Sequence, residues 1–362
     1  MNRRTGVYAV VLSIGVVIGG MLAVPPVHAA CGATQCFVVI GSQQQVPQKG
    51  LLTINGFYNY TPYRVADGTT GVIPHANQER QRLTLDNHKE IRTIVQTYTL
   101  DVNYGLTEKV GIQVTVPYTR LRHRHLDEVG EEGVNGEGRG LVFSDNGIGD
   151  IRLTAKYNAH QSLTSTVVAG LGVVLPTGDY NARDSNGALM EPPAQVGRGA
   201  VGVVPSVYQT YQVIPNRLSQ FSFASYRHTF RNSDGYQFGD EYLLNVGANV
   251  VTVPWLVLTG QFNYRYQVHD NMTGSLRRSL NSTDTGFPGG PVTLDSTVLD
   301  RRVANTGQTF LAFSPGFQVS VNETTSMYFY SQIPVARDFN NNLSQGTSFV
   351  FGLTKSFQTQ KS

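Results

Sequence analysis

The feature that most constrains this chain is a two-residue alternation of apolar and polar side chains, repeated in twelve short segments between about Gly50 and Phe357. Trp255 to His269 shows it most clearly. Leu256, Leu258, Gly260, Phe262, Tyr264, Tyr266 and Val268 occupy one parity; Val257, Thr259, Gln261, Asn263, Arg265, Gln267 and His269 occupy the other. Successive strand side chains point to opposite faces, so each segment has a greasy side and a wet side. If the greasy side meets lipid, the sheet must close on itself, because hydrocarbon offers no partner to an unpaired backbone edge.

The spacing of the segments adds an orientation. They fall at about 50–62, 91–104, 109–122, 150–159, 164–176, 200–212, 219–230, 240–251, 255–269, 306–320, 326–335 and 347–357. Short links such as Gly105-Leu106-Thr107-Glu108 and Asn322-Glu323-Thr324-Thr325 follow the even-numbered segments. Longer loops, such as Val65 to Glu90, His123 to Gly149, Gly178 to Gly199 and Asp270 to Asn305, follow the odd-numbered ones. A soluble sandwich has no reason to sort its loops by length, whereas outer-membrane barrels carry short periplasmic turns and long outer loops. The expected fold is all-β: a transmembrane antiparallel up-and-down β-barrel of about 12 strands, with both termini periplasmic. Tyr98, Tyr104, Tyr118, Tyr157 and Tyr242 fall near strand ends, where aromatic girdles belong. In the last segment Phe349, Phe351, Leu353 and Phe357 share one parity, and Lys355 interrupts it, which suits a position at the membrane interface.

Only the N-terminus has an apolar run of the length that a membrane helix needs. Arg3 and Arg4 precede Val7 to Val24, and Pro25 and Pro26 break the run before Val27-His28-Ala29. This is the layout of a secretory signal. The chain divides accordingly into a signal peptide (1–29), a periplasmic N-terminal segment (30–49), an outer-membrane barrel (50–357) and a C-terminal tail (358–362). The expected location is the outer membrane of a Gram-negative cell. Cys31 and Cys36 follow the cleavage point and could close a small disulfide loop or remain free thiols. Their spacing matches neither a CxxC redox motif nor a haem site, and two cysteines exclude a thiolate-bound cluster. The net charge of +3 comes without a basic stripe, so nucleic acid is not an expected partner.

If the apolar parity faces lipid, the other parity faces the lumen. The candidate lumen-lining residues are Asp101, Asn103, Gln113, Arg152, Lys156, Glu241, Asn245, Gln261, Asn263 and Arg265. Charges of both signs inside a barrel have two meanings: a bonded filling that stiffens the wall, or a solute path with local fields. His123 and His125 share a strand face, but Arg122 and Arg124 flank them and no third ligand is apparent, so no metal site is expected. Glu131 and Glu132 in a glycine-rich loop read as solvated carboxylates that could gather divalent cations near lipopolysaccharide. A barrel hydrolase would need His and Ser on one strand face. His228 is followed by Thr229 and Phe230, and His269 by Asp270 and Asn271. No enzyme and no cofactor are expected.

Asn146-Gly147-Ile148-Gly149-Asp150-Ile151 opens the fourth segment, and Leu175-Pro176-Thr177-Gly178-Asp179 closes the fifth. Together they resemble the outer-membrane family labelled "MetA pathway of phenol degradation". The resemblance implies a barrel that admits small compounds, aromatic ones among them. Both motifs lie where strands meet outer loops, where glycine permits tight backbone geometry and Asp can bond nearby amides; they read as structural. The expected function is thus an outer-membrane channel passively admitting small solutes. The alternative is a structural barrel docking a periplasmic or surface partner such as an electron-transfer protein; an outer-membrane hydrolase comes third. The expected surroundings are outer-membrane lipid and lipopolysaccharide.

Overall fold

The computed structural model describes residues 38–66, 72–73, 88–127, 139–183, 192–272, 306–340 and 342–359. The proposed signal peptide, Cys31, Cys36 and the Glu131–Glu132 loop lie outside them. Twelve long strands form the wall: β1 (Leu51–Val65), β2 (His88–Gly105), β3 (Val110–Asp127), β4 (Ile151–Gln161), β5 (Ser165–Leu175), β6 (Gly202–Ile214), β7 (Leu218–Thr229), β8 (Glu241–Val253), β9 (Leu256–Gln267), β10 (Gln308–Asn322), β11 (Thr325–Asp338) and β12 (Ser348–Gln358). Each pairs antiparallel with its neighbours in sequence, and β1 pairs with both β2 and β12, with Leu51 opposite Gln358 and Leu52 opposite Tyr104. The sheet is therefore a closed antiparallel barrel, and the first and last strands meet at the end that carries the tight turns. In the turn after β6, Asn216 adopts φ 59°, a conformation that asparagine tolerates better than most residues.

The outer face follows the apolar parity. Leu100, Ile112, Leu153, Leu171, Val207, Val250, Leu258, Phe262, Phe317, Phe351 and Leu353 are exposed. No helix among the described residues is long and apolar enough to cross a membrane. Tyrosines line up across strands: Tyr58–Tyr98–Tyr118 on β1–β3 and Tyr226–Tyr242–Tyr266 on β7–β9. Lys355 sits near the turn end, where its ammonium donates to Thr324 and Thr325 hydroxyls at 2.8 and 3.0 Å.

Three features differ from the sequence reading. The β2–β3 hairpin runs well past its expected limits, and residues 139–148 form a further strand on the far half of β3, from Tyr118 opposite Ile148 to Asp127 opposite Arg139. The stretch from His123 to Gly149, expected as a loop, is thus largely paired. Polar residues hid the pairing, because a wall that rises beyond the bilayer has no lipid to alternate against. Gly149-Asp150 then breaks this strand from β4.

The third difference concerns 30–49, which was expected outside the barrel. Its described part, 38–49, enters the lumen from the turn end, with a helical turn at Gly41–Gln44. Val38 and Ile40 pack on Tyr328, Tyr330 and Val350, while Val39 packs on Val168, Tyr208 and Phe221. These partners belong to β11 and β12 on one side and to β5, β6 and β7 on the other, so the segment lies across the bore. The physical reason is visible in Val38-Val39-Ile40: three consecutive apolar residues gain from leaving water.

Candidate functional site: an occluded lumen

The inner wall leaves one substantial cavity among the described residues, of about 200 Å³. Its sides are inward residues of β1 to β8, its floor is Val38–Gln44, and its roof is Pro193–Arg198 from the β5–β6 loop. The lining is mixed. Asp101, Gln113, Arg152, Lys156, Arg198 and Arg227 face Val95, Leu121, Val168, Val204, Phe223 and Leu243. Such a space suits a small solute with a polar end and an apolar body, near the lower limit of ordinary ligand pockets.

Specific hydrogen bonds hold the floor. The Gln261 amide pairs with both backbone groups of Val39: the Val39 N–H donates to Oε1 at 2.9 Å, and Nε2 donates to the Val39 carbonyl at 3.1 Å. The Lys156 ammonium donates to the Gln43 carbonyl, and Asn103 Nδ2 donates to the Gln45 carbonyl at 3.4 Å. A strand-like segment inside a barrel has no neighbouring strand, so side chains of the wall supply the partners its backbone needs.

The roof is held by the two glycine–aspartate motifs, which the fold brings together. Asp150 is buried, and its carboxylate accepts the N–H of Gly178 at 3.1 Å and of Arg198 at 3.0 Å. Burial pushes its carboxyl above the usual range, an effect offset by those two N–H groups and by the charges of Arg227 and Arg198. Thr177 donates its hydroxyl to the Gly149 carbonyl at 2.8 Å and accepts the Ile151 N–H at 2.9 Å. Gly178 and Gly197 pass so closely that a Cβ on Gly178 would lie 2.7 Å from the Gly197 Cα. Only glycine fits there. Arg198 then reaches inward, donating to Thr229 at 3.2 Å and lying 4.8 Å from the Phe238 ring. Pro192–Arg198 is buried throughout.

The ten residues singled out from the sequence all fall on the inward parity, but in different surroundings. Asp101, Gln113, Arg152 and Lys156 line the cavity, and Asp101 accepts the Thr115 hydroxyl at 2.5 Å. Asn103 and Gln261 hold the floor. Asn245, Asn263, Gln261 and Ser314 are bonded to one another as a packed polar layer. Arg265, buried over Phe310, donates to Gln308 at 3.1 Å and Gln345 at 2.9 Å. Glu241 lies opposite Arg227 on the next strand. Sequence reasoning missed Arg198, Arg227 and the inserted floor. Arg227 is on the wet parity of its segment, and the apolar run at 38–40 was the signal for the floor. His123 bonds Thr93 at 2.7 Å and lies 3.4 Å from Glu90. No cluster among the described residues could hold a metal ion.

The model of the family described as "Putative MetA-pathway of phenol degradation" matches residues 90–287, more than half of the 362-residue chain and inclusive of both glycine–aspartate motifs. The chain belongs to this family. Among solved structures it resembles an outer membrane channel from Pseudomonas putida F1, with a TM-score of 0.55 and 13% identity over 88% of this chain and 100% of the other. A weaker likeness is to the toluene transporter TbuX of Ralstonia pickettii, with a TM-score of 0.41 and 12% identity over 86% and 90% of the two chains. No curated protein matches it in sequence. At these identities the likeness is one of fold, and the fold is that of an outer-membrane β-barrel.

Proposed function

We propose that this member of the family is an outer-membrane channel for small solutes, seated with its turn end, and with it the start of β1 and the end of β12, toward the periplasm. The observation that carries the reading is the cavity between a fixed roof and an inserted floor. It is a wet, partly apolar space inside a lipid-facing wall, blocked toward the turn end by the chain's own N-terminal segment. A solute with one polar group and an apolar body, including an aromatic one, matches the lining. Passage requires the floor to shift. The packed layer around Asn263 and Arg265 stiffens the remaining bore and leaves the side that holds the cavity as the route.

Planar-bilayer recording tests this. Purified, folded protein should give brief, small conductance steps, because the floor blocks the path most of the time. Silence under all voltages, together with silence after the floor is removed, would instead favour a barrel that docks a partner. A hydroxyl–histidine–carboxylate line does border the cavity, with the Thr93 hydroxyl 2.7 Å from His123 Nδ1 and the Glu90 carboxylate 3.4 Å from its Nε2; all three side chains are buried, and we read them as part of the wall and not as a hydrolytic site.

A further inference from the structure

Five arginines stand on the outer surface of one side of the barrel. Arg64, Arg92 and Arg124 are directly opposite one another across β1, β2 and β3. Arg120 and Arg122 precede Arg124 on the same face of β3, and all but half-buried Arg92 are exposed. Like charges in cross-strand register repel, and no carboxylate stands opposite them among the described residues; Arg120 alone has an aromatic partner, the Tyr118 ring 6.0 Å away. Arg64 pairs with Ser344; Arg124, Arg122 and Arg120 pair with Val142, Ser144 and Asn146. From the tyrosines to Arg124, the outward residues of these strands include no carboxylate. Arg92 Nε is buried without an acceptor.

The height of the row identifies what it meets. Below it runs Tyr58–Tyr98–Tyr118, with ring centroids 5.0 and 6.5 Å apart. Tyrosines of this kind mark the boundary between hydrocarbon and headgroups. Arg120 is two residues beyond Tyr118 and Arg124 six, so the arginines occupy about the next 20 Å along the strands. The other side of the barrel provides a control. Tyr226–Tyr242–Tyr266 forms an equivalent row, with centroids 5.1 and 6.0 Å apart. Beyond that row stands a carboxylate with partners of its own: Asp240 lies 2.7 Å from His228 and accepts the Tyr226 hydroxyl at 2.7 Å.

We infer that the β1–β3 face is a binding site for the phosphate groups of lipopolysaccharide, with the guanidinium forks of Arg64, Arg92, Arg120, Arg122 and Arg124 taking the lipid A and inner-core phosphates. Guanidinium matches phosphate geometry bidentately, and several such groups at headgroup height fit a ligand that carries more than one phosphate. The site is independent of the lumen and would stand whether or not the barrel conducts.

Native mass spectrometry of the purified barrel tests it, with bisphosphorylated lipid A, monophosphorylated lipid A and phosphatidylglycerol as probes. Bisphosphorylated lipid A should remain bound most strongly, and the triple variant R64Q/R92Q/R124Q should weaken it by about tenfold or more, the scale of losing several charge-assisted contacts. R120Q/R122Q provides a second variant on exposed positions. Heat-modifiable gel mobility verifies that each variant is folded. Equal retention of all three lipids, or undiminished lipid A binding by both folded variants, would overturn the proposal.

Discussion

The two obstructions in the lumen are built differently. The roof is an internal loop, anchored at both ends by β5 and β6, and its backbone is gripped by a buried carboxylate and by a glycine–glycine contact with no slack. The described floor leads into the wall at β1; its grip is one glutamine amide, two further side chains and a patch of apolar contacts. Moving the roof requires breaking its network, whereas the floor is released by the loss of a few hydrogen bonds and apolar contacts. We propose on these grounds that the roof is fixed and the floor moves.

Substitutions at the roof should cost the most. Gly178→Val forces a branched side chain into the Gly197 backbone; overpacking of this kind costs about 1–3 kcal/mol or more, and the loop has no other seat. The expected result is a lowered urea midpoint of the detergent-solubilised barrel and protease sensitivity in 192–200. Unchanged resistance would mean that the contact is not what fixes the roof. Asp150→Ala leaves the Gly178 and Arg198 N–H groups without their acceptor, at about 1–3 kcal/mol for each buried donor. It should open the roof to proteolysis while the barrel still migrates as a folded species.

The floor should respond more gently in stability and more sharply in function. Gln261→Leu removes both hydrogen bonds to Val39 and the one accepted from Asn263, each contributing about 1 kcal/mol, and should make channel openings more frequent while lowering the midpoint less than the roof substitutions do. If openings were unchanged, the apolar contacts alone would hold the segment. The pH dependence is the smallest effect. Burial holds the carboxyls of Asp150 and Asp270 above the ordinary carboxylate value of 3.8, so the folded barrel binds these protons more tightly than the unfolded chain does. Their contribution to stability is therefore largest at low pH, declines as pH rises from that value through the raised ones, and is constant above. Asp270→Asn should flatten part of this slope when urea midpoints at pH 4 and pH 7 are compared; an unaltered slope would show that another group titrates.

The same contrast explains what the sequence disclosed. The twelve wall strands were legible because lipid demands a strict two-residue period, and Leu256–Gln267 reads as a strand from that period alone. Residues 139–148 were not, because above the bilayer Val142, Ser144 and Asn146 face water and polar residues satisfy both sides. The ten lumen candidates were found by parity, but parity does not say that Arg265 is packed while Arg152 borders a cavity; that depends on which strands the inserted segment leans against. Asp150 and Gly178 were visible as a motif, yet their meeting needs two strands brought side by side with a third segment, Val196–Arg198, which carries no signal of its own.

In the proposed channel the floor is the removable obstruction. The most direct measurement is single-channel conductance of a variant lacking residues 30–45 beside the intact chain, with folding of both verified by gel mobility. The deletion should give steady openings, with conductance several-fold above the brief steps of the intact protein, and Gly178→Val should not reproduce them. Equal conductance from the two folded proteins would contradict the account, because the segment seated between Val168 and Tyr328 would then not control the path.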